Sequence, residues 1–145
     1  MMGKLGFDIN VKELKEDELK YCQAAVANYK RLSQVILQGD MYRLVSPYDE
    51  SRAVLMYVNE MKSMAVLFSY TLHPLFDPQY NAVRLQGLDA DRSYKVEEIN
   101  LLPAGEKSFE DSGSVYSGEY LMKVGLRVSS PGNETSVVLE VAEAE

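Results

Sequence analysis

The chain has no tryptophan, one histidine and one cysteine, and its acidic residues outnumber its basic ones to leave a net charge of -7. Each shortage excludes something. A lone thiol, Cys22, cannot close an internal disulfide, and its place in a helix-like run marks it as a small buried hydrophobe rather than a nucleophile. His73 is the sole imidazole; it precedes Pro74, and no nucleophile signature surrounds any serine, so a histidine-based triad has little to be built from. The basic residues are few and scattered and form no phosphate-binding stripe, so nucleic acid is not an expected partner. No apolar run approaches the roughly 20 residues that span a bilayer, and Met1-Met2-Gly3-Lys4 lacks a signal peptide's apolar core, so the polypeptide reads as soluble with no membrane partner. Asp89 and Asp91 lack the further oxygen ligands and the glycine of a calcium loop, and read as turn residues; neither a metal nor any other cofactor is expected.

What is present divides sharply. From Glu13 to Asp40 the chain reads as one long helix, and everything after Gly39 reads as strands. Leu14, Tyr21, Cys22, Ala25, Val26, Tyr29, Leu32, Ile36 and Leu37 recur at helical spacing on one broad face, opposite Lys20, Lys30, Arg31 and Gln34. Asn10 with Glu13 resembles a capping box, Glu16, Asp17 and Glu18 suit a first turn, and Gly39 suits the end. So wide a face needs a large partner surface. Either it covers the strands that follow, or its partner is not in this chain. In the second case the face around Cys22, Tyr29 and Ile36 becomes an interface that packs on the strands or mediates self-association.

Upstream, Leu5 to Ile9 fits a short strand leading into the helix, the repeating unit of an α/β barrel. Downstream, Met41 to Pro47 reads as a strand, Ala53 to Val58 and Met64 to Leu72 as a central hairpin, and His73 to Tyr80 as a loop broken by Pro74 and Pro78. Val83 and Leu85 alternate into Gly87. Tyr94 and Val96 fall out of phase with Ile99 and Leu101, which predicts a bulge near Glu97-Glu98. Glu119 to Lys123 suits one helical turn, Leu126 and Val128 start a strand, Pro131-Gly132-Asn133 is a turn, and Val137, Leu139 and Val141 alternate cleanly. Roughly seven or eight short strands at this spacing predict a mainly β protein, an antiparallel Greek-key β-sandwich preceded by one long N-terminal α-helix.

Candidates for chemistry are few. Glu97, Glu98, Glu110 and Asp111 could supply the carboxylate pair that glycoside hydrolysis requires, but spacing alone favours a solvated face. Asn133-Glu134-Thr135 matches the glycosylation sequon within a turn. The ten tyrosines carry more meaning, because aromatic rings bind the faces of sugars. Tyr48, Phe76 and Tyr80 fall in predicted loops where such a platform could form.

Several stretches in order resemble the bacterial α-galactosidases of glycoside hydrolase family thirty-six. They are Gly3-Lys4-Leu5-Gly6-Phe7-Asp8-Ile9, Tyr29-Lys30-Arg31, Gly39-Asp40-Met41-Tyr42-Arg43-Leu44 with Pro47, and Arg52-Ala53 before the hairpin. Leu85-Gln86-Gly87-Leu88-Asp89 followed by Tyr94, Tyr116-Ser117-Gly118 with Leu121-Met122, and Gly125-Leu126 continue the series. The resemblance implies that residues 1–39 are the last strand and helix of a truncated (β/α)8 barrel and that residues 40–145 are the C-terminal β-sandwich. It also implies a retaining parent enzyme that removes terminal α-linked galactose with two aspartates on earlier barrel strands, upstream of Met1. Asp8, near the end of the expected last strand, matches neither, so no catalytic residue is assigned. A barrel takes about 250 residues, so the chain alone is expected to be inactive, with the parent's barrel as its partner and a homo-oligomer through the helix as a further expectation. Any secretion signal would lie upstream. The alternatives are a galactoside-binding module and a protein-interaction domain.

Overall fold

The computed structural model describes residues 2–3, 5–72, 80–101, 105, 107–128 and 136–144. Near the start, the Asn10 and Glu13 pair does form, with Asn10 Nδ2 donating to Glu13 Oε1 at 2.6 Å, but it closes a single 3-10 turn over Val11–Glu13. The long helix, α1 (Glu16–Gln38), begins one turn later, where the Glu18 carboxylate accepts the Lys15 backbone N–H at 2.8 Å. Residues 5–9 form no strand. A strand is held by a ladder to a neighbour, and none of the described strands runs beside them.

Gly39 ends α1, as its place in the sequence suggests, through close packing. Its backbone is extended, and its N–H donates to Val35 O. A Cβ there would lie 2.5 Å from both Val35 O and Val58 O, so only glycine lets the helix end sit against the sheet.

The sheet comprises β1 (Asp40–Val45), β2 (Arg52–Val58), β3 (Met64–Thr71), β4 (Ser93–Glu98), β5 (Val115–Ser117) and β6 (Ser136–Glu143), with the short helix α2 (Gly118–Lys123) after β5. Strand order is β1-β2-β3-β6-β4-β5 with every pair antiparallel. The expected hairpin is β2–β3, its turn held by Asn59, whose Oδ1 accepts Met64 N–H and whose Nδ2 donates to Ser63, both at 3.0 Å. The last strand returns to lie between β3 and β4, a long return of the Greek-key kind.

Period-two alternation gives the sheet two apolar faces. One carries Val54, Met56, Leu67, Tyr94, Val96, Leu139 and Val141, packed beneath Val83, Leu85, Phe109, Leu121 and Leu126. The other carries Val66, Phe68 and Val138, which receive Leu32, Val35 and Ile36 of α1. The protein is therefore mainly β and antiparallel with one long helix, but the layer opposite α1 is largely irregular. Of the segments expected as strands there, Val83 and Leu126 make one isolated bridge. The expected bulge is also elsewhere: β4 buries Tyr94, Val96 and Glu98 in unbroken alternation and stops, while the register shift falls in β1 between Arg43 and Val45. A buried glutamate imitated a change of phase. The turn at 131–133, the sequon and residues 73–79 lie outside the described residues.

Candidate functional site

Glu98, in the acidic cluster, is engaged within the fold. Its side chain points into the core and accepts the Phe109 N–H at 2.8 Å, while its own N–H donates to Ser112 Oγ at 2.9 Å. The carboxylate thus anchors the 107–114 turn to the sheet. Glu97, its neighbour, points to the other face and pairs with Lys95 at 3.0 Å. Asp111 lies against the Tyr116 phenol, whose pKa is raised by burial first and by that carboxylate's charge second. Among the described residues, no group of three or more His, Cys, Asp or Glu side chains could hold a metal ion. Asp8 is exposed.

The aromatic residues singled out for sugar contact have different fates. Tyr48 is 97% exposed on the turn after β1. Phe76 lies outside the described residues. Tyr80 is engaged internally: its hydroxyl is 3.0 Å from Ser51 Oγ, and its ring lies 4.5 Å beneath the Arg52 guanidinium.

Arg52 is the residue that sequence reasoning underrated. At 1% exposure it is the largest buried side chain, and each part of its planar fork has an acceptor. Nε donates to Glu50 at 2.7 Å, Nη1 to Val128 O at 3.0 Å and Nη2 to Asn81 O at 2.7 Å. One side chain so ties the start of β2 to the segments around Asn81 and Val128. A signal was available, since Arg52 is in phase with inward Val54, Met56 and Val58.

The helix splits into a seated half and an open half. Ile36 is buried on the sheet, and half-buried Tyr29 packs against the same cluster with its hydroxyl donating to Gly3 O at 2.6 Å. Arg31 forks onto Glu140 of β6, Nη2 to Oε2 at 2.6 Å, and this hydrogen-bonded carboxylate is the main cause of its raised pKa, partly opposed by burial. Asn28 donates to Ile99 O at 3.1 Å. Cys22 is outside that cluster. It lines a shallow apolar hollow with Val26, Ala27 and the Lys30 side chain on the open half. Of the three interface candidates, then, Ile36 and Tyr29 are used within the chain and Cys22 is left at the margin. No helix among the described residues is long and apolar enough to cross a membrane.

Comparison with known proteins gives this arrangement a context. The chain is similar to alpha-galactosidase 2 of Hypocrea jecorina, 27% identical over 139 residues that make up 96% of this chain and 17% of that protein. It is 32% identical over 127 residues to a probable alpha-galactosidase C of Aspergillus terreus, covering 88% of this chain and 15% of the relative. Among solved structures it is similar to the galactosidase domain of the alpha-galactosidase-sucrose kinase AgaSK, with a TM-score of 0.76 at 26% identity over 96% of this chain and 18% of that one. The chain spans about a sixth of the length of these relatives. The family description that matches covers residues 52–141, from the buried Arg52 to the penultimate pairs of β6, and with the larger part of the chain inside it the protein belongs to the glycosyl hydrolase family 36 C-terminal domain family.

Proposed function

We propose that this chain is the non-catalytic C-terminal part of an α-galactosidase and that it supports the catalytic barrel. In this reading residues 1–39 supply the barrel's last helix and a last strand that forms only beside a neighbouring barrel strand, and residues 40–145 form the sandwich that caps it. The observation that carries the proposal is the match of nearly the whole chain to a small fraction of α-galactosidases, 96% of this chain against 17% of the relative. The division of α1 adds physical support. Its second half is seated by Leu32, Val35 and Ile36, whereas the stretch around Cys22, Ala25 and Val26 is apolar and only half-buried. Each residue buried there would contribute about 1.5 to 3 kcal/mol, enough in aggregate to hold two bodies together.

The test is hydrolysis of a chromogenic α-galactoside by this chain and by the full-length product of its gene. Turnover by the full-length product only is the expected result; turnover by the chain alone overturns the reading. Cys22, the one thiol of this chain, is an internal reporter when its labelling is read on the peptide that carries it. A thiol reagent should label it readily in the chain alone and at least about ten-fold more slowly when a barrel covers the hollow. Equal rates in the two would place the barrel elsewhere.

A second reading, contact with sugar through loop aromatics, rests on the 97% exposure of Tyr48. Saturable galactoside binding lost on Tyr48→Ala supports it, and binding indifferent to that substitution removes it.

A further inference from the structure

Beyond the hollow at Cys22, the molecule has a second concavity, where the end of α1 meets the β2–β3 turn. This groove has a volume of about 510 Å³, within the range of small-molecule sites. Arg31, Gln34 and Gln38 follow one ridge of α1 along one wall; Asn59, Glu60 and Met61 of the turn form the other. We propose that this groove binds a neutral oligosaccharide, held by its hydroxyl groups.

The lining chemistry makes the choice. Arg31 is the cation at the groove, and its charge is already matched by Glu140. Nearby, the end of α1 presents backbone carbonyls, the negative pole of the helix. An anion is therefore disfavoured. A cation would find Glu60 and those carbonyls, but it could not use the amide N–H donors of Gln34 and Gln38. Both glutamines are exposed, and neither side chain makes a hydrogen bond among the described residues. A sugar hydroxyl both donates and accepts, and a primary amide offers both functions on one plane. Glu60 adds an acceptor for a pair of hydroxyls. Met61, 71% exposed, gives a polarizable apolar surface for the C–H face of a ring. Asn59 is occupied by Ser63 and Met64 and acts on the turn's shape instead.

The proposal stands apart from barrel support, because every residue it names belongs to this chain. Raffinose, spermidine and inorganic phosphate would each be titrated into the isotopically labelled chain, with amide resonances followed by NMR. With raffinose, the side-chain amides of Gln34 and Gln38 and the backbone of residues 59–61 should shift saturably. The double variant Gln34→Ala with Gln38→Ala should weaken this at least about ten-fold while keeping the thermal midpoint, since both side chains are exposed. Tyr48→Ala should leave it unchanged. No saturable shift up to about 100 mM raffinose, well past the weakest useful affinities, overturns the proposal. So does saturable binding of spermidine or phosphate at the groove without raffinose, and so do raffinose shifts confined to residues 46–49.

Discussion

At the scale of single residues, stability concentrates where the backbone or a charge has no room to compromise. Removing the Arg52 fork leaves the Glu50 carboxylate and the carbonyls of Asn81 and Val128 without their donor. Arg52→Met should therefore cost about 3 kcal/mol, read as a lower urea midpoint. Arg52→Lys should recover only part of it, because an ammonium cannot reach three separated acceptors in one plane. Gly39→Ala is the steric counterpart. Its φ of -76° suits any residue, so the whole penalty comes from the 2.5 Å approach of a Cβ to two carbonyl oxygens. The expected loss is about 1 to 3 kcal/mol, by the same measurement. Sequence marked Gly39 as a helix end and left Arg52 just before the strand expected from Ala53. The phase of Arg52 with Val54, Met56 and Val58 was legible there, but neither its acceptors nor the close approach at Gly39 was, because both depend on residues far away in the chain.

At the scale of elements, α1 is the informative one. Its apolar spacing was legible from end to end, yet the sheet receives only part of that face. Leu32 is fully buried and Leu37 is 62% exposed, although both belong to the same predicted apolar face. Leu32→Ala should cost about 2 to 5 kcal/mol in urea unfolding, and Leu37→Ala should stay within about 0.5 kcal/mol of the parent. Equal effects would mean that the helix does not sit on the sheet as described. Among the strands, β2 and β3 were legible as continuous apolar runs and β6 by the alternation of Val137, Leu139 and Val141. Glu98 misled the reading of β4: a carboxylate satisfied by a buried N–H has the same letter as one in water.

At the scale of the whole molecule, the sheet is covered on both sides, and buried or half-buried phenols tie its stability to pH. Burial is the first cause of the raised pKa values of Tyr70, Tyr94 and Tyr116, whose ordinary value is 10.0. The unfolded chain loses these protons at lower pH than the folded one. The stability they contribute is thus fully present below the ordinary tyrosine value and declines as pH rises beyond it. Urea midpoints should be level from about pH 7 to 9 and fall toward about pH 11. Tyr70→Phe should flatten that alkaline fall, whereas Tyr94→Phe also removes hydrogen bonds to Lys62 O and Asp89 N. An unchanged alkaline limb in the Tyr70 variant would assign the fall to other groups.

Sequence alone determined the long helix ahead of the strands, the mainly β class and the likeness to α-galactosidases, because periodicity and ordered motifs are properties of neighbours along the chain. Tertiary structure decided which carboxylate is buried, which half of α1 is seated, and that one arginine joins β2 to the segments around Asn81 and Val128. It also brought the ridge of Gln34 and Gln38 against the Asn59–Met61 turn. Those outcomes depend on pairings such as Arg31 with Glu140, 109 positions apart, and no local pattern specifies them.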